Sequence, residues 1–235
     1  MQTEQIAQHL SRLIPRQHLV VVPNAVVAPP ACSVDSTAAA LNIPLPTQPR
    51  PRVVLAVGRL AHEKGIDLLL EAWRIALPKL GDGNLGDWQL HVAGDGPLRA
   101  RLEQQAVDLP TVNFLGWLSD PTAAYTASSL FVLPSRYEGF PNALLEAMSH
   151  GLACIATRCS QAVDQLARDG TSVVVVPAEN DADTPGLLAG ALLKLAQAPD
   201  RCKELGTAAR QVSQEYSWSR IGPLWDQLVM NLSAN

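Results

Sequence analysis

Two glutamates, Glu138 and Glu146, stand with seven residues between them in the run Ser135-Arg136-Tyr137-Glu138-Gly139-Phe140-Pro141-Asn142-Ala143-Leu144-Leu145-Glu146-Ala147. Well upstream, Arg59 and Lys64 are the cations of a second polar loop, Gly58-Arg59-Leu60-Ala61-His62-Glu63-Lys64-Gly65. One carboxylate can face a polar ring, and the other can accept from a vicinal diol as acidic groups do for a ribose. A guanidinium and an ammonium together oppose the charge of a diphosphate, most strongly as that charge grows in a reaction. Taken singly, each residue has a plainer reading. Glutamates gather at helix starts because the dipole favours them there, and loop cations are usually solvated. Two carboxylates flanking the constrained Gly-Phe-Pro-Asn turn favour a ligand site instead.

These residues need elements to position them. Leu130-Phe131-Val132-Leu133 reads as a short buried strand, stopped by Pro134 and followed by a loop punctuated by Gly139 and Pro141. From Asn142, the spacing of Ala143, Leu144, Ala147 and Met148 predicts a helix, with Asn142 as its N-cap. The backbone N–H groups around Asn142–Leu144 then suit a phosphate. The upstream loop has the same layout, with the strand Val53–Val57 before it and a helix through Ile66, Leu69, Leu70, Trp73 and Leu77 after it. Trp88 to Ala93 reads as a strand turned by Gly94-Asp95-Gly96-Pro97 into a helix carrying Leu98, Leu102 and Ala106. The third glycine of a dinucleotide fingerprint would fall at Arg99, so NAD is not indicated, but Gly94 lets a ligand ring approach the backbone. Val112–Gly116 is the next strand and ends in Gly116-Trp117.

The Ser135–Ala147 run, with its paired glutamates, resembles the motif of retaining glycosyltransferases of the GT-B fold, family 4, almost position by position. From about Val20 to the C-terminus the chain is similar to the nucleotide-sugar half of such an enzyme. The resemblance implies a UDP- or GDP-sugar donor and a glycan or lipid-linked acceptor. Arg59 and Lys64 would grip the donor diphosphate, Leu115 and Gly116 would lie near the base, and Glu146 would hold the ribose; Trp117 departs from the family there and either stacks on the base or covers the core. Arg59, Lys64 and Glu138 are the expected catalytic set. Gly58, Gly94, Gly139, Phe140, Pro141, Asn142, Ala143 and Leu144 complete the donor site. No metal or other cofactor is implied. The run after the strand at Gly151–Thr157, Arg158-Cys159-Ser160-Gln161, departs from the family's Gly-rich pattern.

The bulk properties agree. The chain has 235 residues, 47% of them hydrophobic, enough for a full core. Net charge is −4, without a long basic block, which argues against nucleic acid as a partner. Cys32, Cys154, Cys159 and Cys202 form no CxxC pair and read as the reduced thiols of a cytoplasmic protein. No apolar run suffices to span a bilayer, which leaves peripheral membrane contact. The acidic loop Gly81–Asp87 only faintly resembles a calcium loop, and Asp181 and Asp183 beside Thr184-Pro185 fit a helix start better than a metal site.

Strands alternating with helices from Val53 to Val176 predict an α/β, Rossmann-like parallel sheet with helices on both faces. Residues 52–198 form the nucleotide-sugar-binding domain and 199–235 the closing helices. Residues 23–51 read as a linker. Residues 1–22, with a helix over Thr3–Leu13 and a strand over Leu19–Val22, are either the tail of a missing N-terminal acceptor domain or elements on the sheet edge. A partner subunit is the other way to complete the cleft. The alternative to an enzyme is a module that holds the nucleotide sugar without turning it over. A nucleotide-sugar epimerase would need further acid–base residues, and no convincing set is visible.

Overall fold

The computed structural model describes residues 2, 7, 8, 10–27, 51–80 and 88–233. Strands β1 (Val53–Val57), β2 (Gln89–Ala93), β3 (Val112–Gly116), β4 (Leu130–Leu133), β5 (Ala153–Thr157) and β6 (Val173–Val176) form one sheet in the order β3-β2-β1-β4-β5-β6. Every pairing is parallel. The helices are α1 (Ile66–Leu80), α2 (Arg99–Gln105), α3 (Thr122–Thr126), α4 (Asn142–Ser149), α5 (Gln161–Ala167), α6 (Thr184–Ala196), α7 (Pro199–Glu215) and α8 (Trp218–Ser233).

The central strands are apolar throughout because both of their faces are covered. Val54, Ala56, Leu130, Val132 and Ile155 point into a core with Leu69, Trp73 and Leu102 of α1 and α2 and Leu188 and Leu192 of α6. The alternating residues Leu55, Phe131, Leu133, Cys154 and Ala156 point into a second core with α3, α4, α5 and α7. Fully burying one such large side chain contributes about 1.5–3 kcal/mol. Trp73, wholly buried, also donates its indole N–H to Thr111 at 3.0 Å, so its polar atom is satisfied.

The strand order reverses between β1 and β4. The chain winds outward through β2 and β3 on one side and through β5 and β6 on the other. Ligands of such sheets bind beyond the strand C-termini at that reversal. β1 and β4 meet there through a short register, Val54 with Leu130 and Leu55 with Phe131.

Two sequence expectations change. Leu19–Val22 is extended coil outside the sheet. Instead Val26 makes a parallel bridge with Ser217, its N–H donating to Tyr216 O at 2.8 Å. A β-rich composition is not a strand without a ladder to join. The run Thr171–Val176 reads as a strand from its first residue, but β6 begins at Val173, because Arg168, Asp169 and Gly170 all take positive φ and turn the chain first. The expected helix over Thr3–Leu13 is described only in part, with residues 7, 8 and 10 helical. Most of the 23–51 linker, with Cys32, and the Gly81–Asp87 loop lie outside the described residues. Among the described residues no helix is long and apolar enough to cross a membrane.

Candidate functional site at the strand reversal

The loops ending β1 and β4 touch. The loop after β1 tightens into a single turn, His62–Lys64, closed by Gly65 in the left-handed region at φ 62°. Arg136, in the loop after β4, donates its backbone N–H to Glu63 O at 2.9 Å and its guanidinium to His62 O at 2.8 Å. Lys64 is thereby carried onto Glu138, with its Nζ 2.8 and 2.9 Å from the two carboxylate oxygens. Ser135 Oγ donates to the same carboxylate at 2.7 Å. The Glu138 side chain is 7% exposed and that of Lys64 27%, so the pair sits at the rim of the core with the ammonium on the open side.

The loops after β2 and β3 join on the same edge. Gly58 N–H donates to Ala93 O at 3.0 Å, and Gly94 N–H to Gly116 O at 2.7 Å. At Gly94, with φ 141°, any Cβ would lie 1.9 Å from Gly58 O, so only glycine permits the approach. Arg59 is exposed on this rim, and Leu115 packs half-buried against the second core. Trp117 is 73% exposed and covers no core. His62 is exposed, and its carbonyl rather than its ring ties the loops together.

At the start of α4 the structure corrects the reading of Asn142. It is the first helical residue, and no side chain caps the helix. Its Oδ1 accepts from Asn24 at 2.7 Å, tying the N-terminal segment to the mouth of the site. Its N–H is bound to Phe140 O at 3.0 Å. The first helix-type bond runs from Leu145 N–H to Pro141 O, so the amides of Ala143 and Leu144 lie ahead of it in the first turn, Ala143 half-buried and Leu144 buried. The side chains of Phe140, Pro141 and Leu144 are buried, and the Phe140 ring lies 5.9 Å from that of Tyr216. What these residues can offer a ligand is backbone. Glu146, one turn inside α4, accepts from the Tyr125 hydroxyl at 2.8 Å. Burial pushes its carboxyl above the usual range, against the opposing effect of that hydrogen bond.

The sequence reading missed three features. Tyr125 lies on the buried side of α3, and nothing in its sequence neighbourhood signals that its hydroxyl finds Glu146. Asn24 lies 118 residues from its partner. Arg136, inside the motif but unassigned, bonds Asp67 at 2.7 and 2.8 Å and Asp181 at 2.8 Å. A depression of about 410 Å³ opens beside this cluster, but its lining includes Asp67, Glu71 and Asp181, the wrong sign for a diphosphate. Asp183 accepts from Asn180, so both carboxylates of the Asp181/Asp183 pair serve the protein's own contacts. Among the described residues no three potential metal ligands cluster. Among the described residues, Cys154, Cys159 and Cys202 form no disulfide.

Arg136 is expected to fasten the two loops in a pH-dependent way. Burial pushes the Asp67 carboxyl up, but the Arg136 hydrogen bond and charge outweigh it and hold it below its ordinary value. A depressed carboxyl contributes stability above its unfolded pKa of about 4 and loses it as pH falls through the folded value. Arg136→Ala should cost about 2 kcal/mol at neutral pH, nearly all from Asp67, since Asp181 is mostly exposed. In melting curves of both proteins from pH 3 to 7, the gap should narrow toward acid. A gap independent of pH would remove the ion pair from the account.

Known proteins share this architecture. A family model described as glycosyl transferases group 1 matches residues 51–198. An uncharacterized glycosyltransferase of Haemophilus influenzae is 29% identical over 177 residues, covering 74% of this chain and 48% of that protein. A GDP-mannose-dependent alpha-(1-6)-phosphatidylinositol dimannoside mannosyltransferase of Mycobacterium tuberculosis is 31% identical over 175 residues, covering 72% of this chain and 42% of that one. The chain thus spans about half the length of the curated relatives it matches. Among solved structures, the pneumococcal O-GlcNAc transferase GtfA in complex with UDP and GlcNAc superposes with a TM-score of 0.82 at 18% identity, over 100% of this chain and 45% of that one. At that identity the likeness is one of fold.

Proposed function

The chain belongs to the glycosyl transferases group 1 family, and from that premise we propose that it is the donor-binding half of a retaining glycosyltransferase of family 4. It takes a sugar from a UDP- or GDP-sugar and passes it to a hydroxyl of a glycan or lipid-linked acceptor. The observation that carries this is the meeting of Lys64 with Glu138 at the strand reversal, on the loop that leads into α4. A diphosphate lying there would meet an ammonium, the half-buried Ala143 N–H at the start of α4 and, from the rim, the Arg59 guanidinium. As the bond to the sugar breaks, charge builds on that diphosphate, and groups already aimed at it lower the barrier without reorganising. Glu138 keeps Lys64 in place and sets a negative charge near the anomeric carbon as it becomes electron-poor. Glu146 takes the ribose hydroxyls. No general base is assigned; the leaving phosphate accepts the acceptor's proton. Two protein cations already oppose the diphosphate, so the reading requires no metal. An N-terminal domain or a partner subunit supplies the acceptor wall, and the work takes place in the cytoplasm, at the inner face of the membrane where the acceptor is lipid-linked.

A thermal-shift screen of UDP, GDP, ADP and CDP tests the site. A ligand at a hundred times its Kd should stabilise the fold by about 2.7 kcal/mol, a rise of roughly 5–10 °C for a chain this long. If none of the four moves the melting temperature, the reading fails. A chain that holds the nucleotide sugar without turnover is the second reading, favoured by its spanning only about half the length of its curated relatives. Release of free sugar from the donor by the purified chain separates the two.

A further inference from the structure

The phenol of Tyr125 is 1% exposed, yet it ends on a charged group of the site. Its ring is fixed from two sides. It stacks on His150, centroids 5.2 Å apart and planes 26° apart, and tilts against Phe131 at 6.0 Å. His150 is itself placed by a 3.4 Å contact between its Nδ1 and Thr126 Oγ1, on the same short helix as Tyr125. The hydroxyl lies 2.8 Å from Glu146 Oε2 and 3.3 Å from Ala143 O. A phenol has one proton to give, and the shorter, charge-assisted bond takes it. Glu146 is therefore not a free side chain. Oε2 is occupied by a donor whose ring is buried and stacked, which restricts the swing of the carboxylate and leaves Oε1 as its other acceptor.

We infer that Tyr125 is a positioning residue that aims Glu146 Oε1 at the vicinal hydroxyls of a nucleotide's ribose, and so makes the site discriminate ribose from deoxyribose. The inference rests on the assignment of Glu146 to the ribose. A carboxylate with both oxygens free can swing to a single hydroxyl or to water. One held by a buried phenol presents a fixed acceptor, which a diol satisfies and a deoxy sugar leaves partly unpaired. Sites built to pair a hydroxyl reject the analogue lacking it far more strongly than apolar sites do.

The experiment is calorimetric titration of the full chain with UDP, GDP and their 2′-deoxy and 3′-deoxy analogues. Wild type should prefer the ribose form of its nucleotide by about tenfold or more over at least one deoxy form. Tyr125→Phe, which keeps the ring and its stacking, should lose about fivefold or more toward the ribose form and almost nothing toward that deoxy form, collapsing the ratio. An unchanged ratio, or an equal loss toward both, overturns the positioning role. Glu146→Gln is run in parallel. If it too leaves the ratio intact, the ribose assignment has failed and the inference falls with it. If it collapses the ratio while Tyr125→Phe does not, the assignment stands and Tyr125 alone is wrong. Should Tyr125→Phe not fold, wild-type chain labelled with 3-fluorotyrosine answers instead, with Tyr137→Phe and Tyr216→Phe identifying the remaining resonance. That resonance should shift with the ribose nucleotide and not with its deoxy form; equal shifts overturn the role.

Discussion

Lys64→Ala should both lower the melting temperature and cut stabilisation by nucleoside diphosphates by about half or more. Lys64→Ala combined with Glu138→Gln should recover the melting temperature alone. The ammonium bonds both oxygens of a carboxylate that is 7% exposed, so removing it leaves a mostly buried charge with one hydroxyl donor, Ser135. Breaking a buried pair from one side costs about 3–5 kcal/mol. Lys64 is 27% exposed and water enters the vacated space, which brings the expected loss to about 2 kcal/mol, or roughly 4–8 °C. Neutralising the stranded partner removes that penalty. The ligand effect is separate, since a charge-assisted bond to phosphate contributes about 1.5–3 kcal/mol, a factor of roughly ten to a hundred in Kd. A Lys64→Ala protein that melts early but keeps the full response to UDP or GDP would reduce Lys64 to a structural partner of Glu138.

Gly65→Ala should be more damaging to the fold. A Cβ there would stand 2.0 Å from the carbonyl oxygen and 2.9 Å from the carbonyl carbon of Pro134, with φ at 62°. Both obstacles are backbone, and Pro134 ends β4, so relief comes only by separating the two loops that carry Lys64 and Glu138. The left-handed conformation alone costs an alanine about 1–2 kcal/mol, and forced overlap in a packed region adds about 1–3 kcal/mol. A drop of roughly 4–20 °C is therefore expected, together with loss of the nucleotide response, because the bonds from Arg136 to Glu63 and His62 open with the loops. An alanine variant melting within a degree or two of wild type would show that the loops do not depend on this contact.

The contrast between what could be read from the chain and what could not has a physical origin. β1, β3 and β4 were legible because an apolar run bounded by glycine or proline has few other fates in a layered protein, and the helix from Ile66 because its apolar stripe repeats at helical spacing. The loops at the strand ends were legible as a set, since they follow successive parallel strands and must emerge on one edge. Illegible were the partners of polar side chains. Asn142 looks like a cap because its local surroundings suit one; Asn24 claims its side chain instead, a contact that exists only once the N-terminal segment reaches the start of α4. Tyr125 and Arg136 belong to the same class, in which the bond is decided by which elements the topology brings together. Leu19–Val22 shows the converse, a strand-like composition for which the sheet holds no ladder.

The short register between β1 and β4 has a kinetic consequence. Lys64 and Glu138 are 74 residues apart, on opposite sides of that seam. Closing so long a stretch of chain comes late, so the pairing of β1 with β4 and the packing of α1 on α6 are expected to follow the more local strand pairings on either side. A nucleotide gripping both loops is then a staple across the seam. It meets nothing to hold in the half-folded chain, and its effect should fall on the unfolding rate, leaving the folding rate nearly untouched.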